Sequence, residues 1–188
     1  MSGSSIAGVA RAQPPNTAPL RRLEPDELGD HLDRLYRAAW AICGDRHEAE
    51  DLVQDTYARV LARPRWLRSD DDLGYLLRVL RNTHVSRVRA RSRRPMSSEL
   101  TMEIADDRGR RSDPEAALEA GAMFEVIAAL PRSFRDALVA IDVAGLSYRE
   151  ASRALRVREA TITTRLHRAR ARVAAELSGL AIENAGVS

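Results

Sequence analysis

Short hydroxyls and guanidinium forks are the side chains that base edges and phosphates accept, and one stretch of this chain gathers them on a helix. From about Glu159 the sequence EATITTRLHRARARV spaces Ile162, Leu166, Ala169 and Val173 at intervals of four, three and four, which makes one apolar face. Arg158, Thr161, Thr163, Thr164, Arg165, Arg168 and Arg172 fall on the remaining faces. The segment before it has the form of a first helix. Ser147 followed three residues later by Glu150 is a capping box, so that helix starts at Tyr148, and Ala151, Ala154 and Leu155 recur on its inner side. Val157 then sits in the turn, where an apolar residue plugs the angle between two helices. The stretch from Leu146 to Arg172 therefore reads as a helix-turn-helix whose second helix carries the chemistry of duplex recognition.

Two further groups invite a chemical reading. Glu48, Glu50, Asp51, Gln54 and Asp55 form an acidic face on an otherwise basic chain. Glu48, Asp51 and Asp55 could serve as magnesium ligands in an all-helical nucleotide pyrophosphohydrolase, but such a site needs carboxylates converging from a facing helix. The partner helix from Leu73 to Arg94 supplies arginines and His84 instead. His47 has no second histidine four residues on, so there is no zinc-protease motif. No catalytic residue, metal site or cofactor is expected. That partner helix carries Arg78, Arg81, Arg87, Arg89, Arg91, Arg93 and Arg94, and no acid interrupts residues 73 to 98. A solvated face mixes signs, so an uncompensated arginine series points to a polyanion. Just before it, Arg63 to Asp72 is a loop too polar for a core, yet it holds Trp66. The indole either stands out to receive an unstacked base or folds back as a lid on a small core.

The elements that must position these groups are helical. Pro25, with Glu24, Asp26 and Glu27 at the positive helix end, starts a helix with Leu28, Leu32, Leu35, Tyr36, Ala39, Trp40 and Ile42 on its apolar face, and Gly44 stops it. Asp45 caps the next, whose inner face is Ala49, Leu52, Val53, Thr56, Tyr57, Val60 and Leu61, and Pro64 ends it. Leu73, Leu76, Leu77, Leu80 and His84 line the inner side of the arginine helix. Asp113 and Pro114 open a helix to about Ala129, bearing Met123, Val126 and Ile127, and Pro131 opens another through Val143. No alternating valine- or isoleucine-rich run is present, so an all-α chain is expected. Its parts are a disordered arm over 1–23, a helical domain over 24–94, a flexible linker over 95–112, a four-helix domain over 113–178 and a tail over 179–188.

At 188 residues with 44% hydrophobic content, two small cores are affordable. The net charge of +3 is modest, so the placement of charge matters more than its total. All 30 basic residues are arginine, which suits bidentate contacts and equally fits a GC-rich genome. The single cysteine, Cys43, excludes an internal disulfide, and its place on an apolar face points to an inert buried thiol. No apolar run reaches membrane-spanning length, so a cytoplasmic protein without membrane insertion is expected.

At Asp51-Leu-Val-Gln-Asp-Thr-Tyr57 and Leu146-Ser-Tyr-Arg-Glu150 the chain resembles the extracytoplasmic-function class of bacterial sigma factors in the sigma-70 family. The resemblance spans about residues 28–94 and 114–177. It includes Tyr75-Leu-Leu-Arg-Val-Leu-Arg-Asn82, Leu130-Pro131 and Arg165-Leu-His-Arg-Ala-Arg170, in the family's order. It implies two DNA-binding regions and three kinds of partner: core RNA polymerase through the beta-prime clamp and beta flap, promoter DNA, and an anti-sigma factor. Region 2 would bind core through Asp51, Gln54 and Asp55, and would melt the minus-ten element with Trp66, Arg78, Arg81, Asn82, Arg87 and Arg89. Region 4 would read the minus-thirty-five element with the recognition helix. The chain departs from the pattern at Arg156, where the turn usually has glycine, at Ala160-Thr161-Ile162 for Gly-Thr-Val, at Ser86 for aspartate and at Tyr75 for tryptophan. A different reading of the same residues is a free-standing helix-turn-helix regulator that needs no polymerase.

Overall fold

A computed structural model describes residues 20–68, 72–93 and 114–185. The first nineteen residues of the expected arm, the linker over 95–112, Arg94 and the end of the tail lie outside the described residues.

The first expected helix is broken in two. Helix α1 (Pro25–Leu28) passes through a single 3-10 turn (Gly29–His31) into α2 (Leu32–Cys43). Gly29 weakens the helix there. The Tyr57 hydroxyl also donates to the Leu28 carbonyl at 2.9 Å, giving that oxygen a partner outside the helix. The break turns Leu32 outward, 42% exposed, away from the core face expected for it. Gly44, at φ 78°, closes α2 with its N–H on the Trp40 carbonyl at 2.7 Å. Asp45 caps α3 (Arg46–Ala62) by accepting the Glu48 N–H at 2.8 Å. Helix α4 (Asp72–Arg93) crosses both, with Leu73, Leu76, Leu77 and Leu80 buried as expected, whereas Leu61 of α3 stays exposed.

The all-α expectation holds, with one two-stranded ribbon added to it. Leu20–Arg22 forms β1 and pairs antiparallel with β2 (Trp66–Arg68), with Arg22 opposite Trp66. The end of the expected disordered arm is therefore ordered. Arg21 fastens it by ion pairs to Glu27 and to the buried Asp72, and Leu23 enters the core.

The second half comprises α5 (Pro114–Ala129), α6 (Arg132–Leu138), a π turn (Val139–Val143), α7 (Tyr148–Leu155) and α8 (Glu159–Ala185). Pro131 precedes α6 rather than lying in it, and the helix expected through Val143 finishes as the π turn. Helix α8 continues to Ala185, through most of the expected tail. The capping box closes in both directions: the Ser147 N–H donates to the Glu150 carboxylate at 2.7 Å, and the Glu150 N–H to the Ser147 hydroxyl at 3.3 Å. Arg156 occupies the left-handed position of the turn at φ 56°, ψ 45°. A glycine there would relieve about 1 kcal/mol of strain.

The halves are not separate bodies. Helix α2 packs on α3 and α4 along one side and on α5 and the π turn along another, and α4 packs on α7. One hydrophobic cluster runs from Leu23 to Val173. Ala38, Ala39, Trp40, Ala41 and Ile42 are consecutive and all buried, so α2 is covered nearly all round and forms the middle layer.

Candidate nucleic-acid interface

Helix α8 is seated by the face read from its sequence. Ile162, Leu166 and Ala169 are 0–1% exposed and Val173 is 8% exposed. At about 100° per residue, Arg158, Thr161, Thr164, Arg165, Arg168 and Arg172 share one flank of that buried stripe. Thr163 lies about 200° from Thr161 on the opposite flank. The expected set therefore divides. Thr163 lines a separate open groove of about 530 Å³ with Tyr148, Leu166, His167, Arg170, Ala171 and Ala174.

Within the main flank, Arg158 and Arg168 are exposed and Thr161 and Arg165 half-buried. Arg158, Arg165 and Arg168 have no acidic partner among the described residues. The Thr164 hydroxyl donates to the Ala160 carbonyl at 3.0 Å, which leaves its oxygen free to accept. Arg172 differs, because its guanidinium lies over the Phe134 ring at 5.0 Å.

The first half contradicts the expectation that its charges are uncompensated. Asp55 accepts two hydrogen bonds from Arg87, at 3.0 and 2.6 Å, and Arg87 also donates to the Asp51 carbonyl at 2.9 Å. Arg91 pairs with Glu48 at 2.6 Å. Glu48 and Asp55 on α3 thus meet Arg91 and Arg87 on α4, pairs of opposite sign where a magnesium site would need carboxylates on both helices. Arg81 is also engaged, with its guanidinium on the buried Asp136 of α6 at 3.0 Å. Arg87 was expected on DNA and instead faces α3, where it orients the acidic patch. The Asp51 and Gln54 side chains and Asn82, Arg89 and Arg93 remain exposed. Arg78 is half-buried.

Trp66 is 70% exposed on β2, so it does not fold back as a lid. The second tryptophan, Trp40, is the buried one, edge-on to Phe124 at 4.7 Å with Arg46 over its face at 4.4 Å. Burial pushes the Cys43 thiol up to about 12, in keeping with an inert thiol, and its sulfur lies 3.7 Å from His84 Nδ1. Burial, reinforced by Arg135, holds His84 below the usual imidazole range.

These two surfaces coincide with known sequence families. Sigma-70 region 2 matches residues 28–94, and Sigma-70 region 4 matches residues 121–173. The ECF RNA polymerase sigma factor SigM of Mycobacterium tuberculosis is 31% identical over 160 residues, covering 84% of this chain and 77% of that protein. The chain belongs to the extracytoplasmic-function sigma factors. The sigma factor SigE of Mycolicibacterium smegmatis is 34% identical over 77% of this chain, and the match spans 58% of that relative's length. Among solved structures, the sigma factor RpoE of Bartonella quintana, in complex with the anti-sigma factor NepR, superposes with a TM-score of 0.59. It is 25% identical and covers 81% of this chain and 95% of its own. In family terms, α1 to α4 are region 2, and α5 to α8 carry region 4.

Sequence reasoning missed Arg34 and Asp136. Arg34 Nε donates to the Ala144 carbonyl at 2.8 Å and its Nη2 to the Gly145 carbonyl at 3.0 Å. The signal for Asp136 was present: an acid three and four residues before Val139 and Ala140, at the buried phase of its helix, calls for a cationic partner.

Proposed function

We propose that this sigma factor binds core RNA polymerase and directs initiation at specific promoters, region 4 reading the minus-thirty-five duplex and region 2 opening the minus-ten element. The observation that carries the reading is the recognition helix. A fully buried stripe fixes its orientation while Thr161, Thr164, Arg165 and Arg168 stay on one flank with no acidic partner for the arginines among the described residues. Thr161 and Arg165 lie one turn apart in the N-terminal half, the part that enters the major groove, and are assigned to bases. Arg158 and Arg168 are assigned to phosphates, and Arg172 to the groove edge once it leaves Phe134.

In region 2, exposed Trp66 offers a stacking face for a flipped base, worth about 1–3 kcal/mol, with Asn82, Arg78 and Arg89 following the strand and Arg81 joining them when released from Asp136. Asp51, Gln54 and Asp55 form the contact to the polymerase beta-prime clamp, with Arg87 orienting the last. Region 4 would also meet the beta flap. The protein contributes no catalytic step of its own and acts in the cytoplasm. No described helix is long and apolar enough to cross a membrane. RpoE of Bartonella quintana is held by an anti-sigma factor, and a regulator of that kind is proposed here.

Transcription from a random-duplex library with purified core polymerase tests the reading. Specific transcripts should require both core and this chain. Tight sequence-specific duplex binding by the chain alone, with no effect on core, would support the free-standing regulator instead.

A further inference from the structure

Ahead of α1, the side chains from Leu20 to Leu23 divide by the alternation of a strand. Arg21 turns inward to Glu27 and the buried Asp72, Leu23 lies in the core, and Leu67 across the ribbon packs partly buried against that core. The other side of the ribbon faces water. Leu20 is 62% exposed, Trp66 is 70% exposed, and Arg22 is exposed with no acidic partner among the described residues. Two strands of three residues are marginal by themselves. The inward residues therefore hold the ribbon in place, and its outward side contributes little to the fold.

The register decides what that outward side can do. Arg22 is the cross-strand partner of Trp66, and partners in an antiparallel pair project from the same face with β-carbons about 4.5–5.5 Å apart. A guanidinium on a long stem thus stands beside an indole, and Leu20 extends the apolar part of the same face. A nucleotide presents the two matching chemistries together, a base with a π-face and a phosphate one sugar away. Sites for single strands combine aromatic platforms with cations that hold the backbone, and arginine grips a phosphate with a bidentate fork. We propose that Arg22 and Trp66 form one site for an unpaired nucleotide, the indole taking the base and Arg22 its phosphate. Strand β1 is then a working part of the minus-ten reader, seated by Arg21 and Leu23. The proposal rests on the sigma-factor reading, in which Trp66 receives an unstacked base. It adds Arg22 and the strand that carries it, which lie ahead of the region 2 match beginning at residue 28.

Holoenzyme assembled from core polymerase and the full-length chain tests the site on a promoter recovered from the parent's own transcripts. The probe is that promoter with its minus-ten element held unpaired by mismatches. Arg22→Glu should weaken binding to this probe about five- to thirtyfold, and Arg22→Lys, which keeps the charge, should retain most of it. Removing the indole should make position 22 nearly silent: in a Trp66→Ala background, Arg22→Glu should cost under about twofold more. Core affinity and melting temperature should stay at the parent's values, because Arg22 is exposed and outside the contacts that hold the ribbon. Full binding by Arg22→Glu, an equal loss with and without Trp66, or weakened core affinity would each overturn the site, the last by assigning the ribbon to the polymerase. If the parent holoenzyme yields no specific transcript, the sigma-factor reading fails and the proposal with it. A parent that transcribes while Arg22→Glu binds the probe equally well refutes the proposal alone.

Discussion

Regions 2 and 4 are both rich in arginine, and the arginines of α4 are partnered differently from those on one flank of α8. On α4, Arg81, Arg87 and Arg91 are neutralised by acids from α6 and α3. On α8, the flank with Arg158, Arg165 and Arg168 has no such partners among the described residues. A run of one charge sign along a helix therefore does not by itself mark a surface for nucleic acid. What decides it is the helix packed opposite, and α3 presents Asp55 and Glu48 within reach of Arg87 and Arg91.

The largest effect that tests the comparison concerns whether the regions are separable at all. Leu166→Ala removes a side chain 1% exposed in the region 4 part of the shared cluster and should cost about 2–5 kcal/mol. If the cluster is one core, region 2 should melt with region 4 in a single lowered transition. Two transitions in calorimetry would mean that the halves are independent.

Next in size is the recognition flank. Arg165→Ala should cost about 1–3 kcal/mol on the preferred duplex and relax one base position. Arg168→Ala should weaken all sequences alike and reduce the salt slope by about one unit. Binding to a duplex library at two salt concentrations separates them, and uniform loss in Arg165→Ala would place that residue on phosphate.

Charge reversal on α3 should be smaller and uneven. Asp51→Arg is expected to weaken core binding with under about 0.5 kcal/mol of stability change. Asp55→Arg should weaken core binding and also loosen α4, because it faces Arg87; with Asp55 45% exposed that pair is worth at most about 1 kcal/mol. Core affinity and melting temperature measured together distinguish the two. Equal melting for both variants would mean the Asp55–Arg87 pair adds nothing.

The smallest effect is a pH dependence. Burial raises the Asp136 carboxyl above its usual range, against the opposing pull of Arg81, Arg132 and Arg135. The folded chain thus holds this proton more tightly than the unfolded chain. The cost of ionising it is fully present at neutral pH and fades as pH falls through the raised value towards about 4. Asp136→Asn should remove that slope, so the parent should gain stability relative to the variant on acidification. Parallel curves from about pH 7 to 4 would refute it.

Much of this architecture was legible because it depends on local spacing. The capping box at Ser147 and Glu150, the Asp45 cap, the Gly44 stop and the α8 stripe each involve residues within a few positions, where helical geometry leaves little choice. Arg156 in a left-handed position was legible only through the family resemblance, which puts glycine at that turn position. The pairing of β1 with β2 was not legible, since three residues such as Leu20–Arg22 carry no alternation and gain their partner from a loop more than forty residues away. The π turn was hidden for a related reason: Val139–Val143 has an ordinary helical composition. Docking of the two regions left one readable trace. Ala38–Ile42 is apolar on every face, and a helix of that kind must be covered on more than one side. The flank composition of α8 was readable too, whereas the engagement of Arg81 and Arg87 depended on contacts 55 and 32 residues away.

The chain contains two tryptophans, and their placement equips it with native optics. Trp40 is sealed between α2 and α5 against Phe124, and Trp66 stands 70% in solvent on β2. An aqueous quencher should dim only the redder, outer emitter while α5 stays on α2, and the inner one should redden and become quenchable when α5 parts from α2. Light from the unlabelled protein would then register separately when the two regions come apart and when a base settles on the exposed indole.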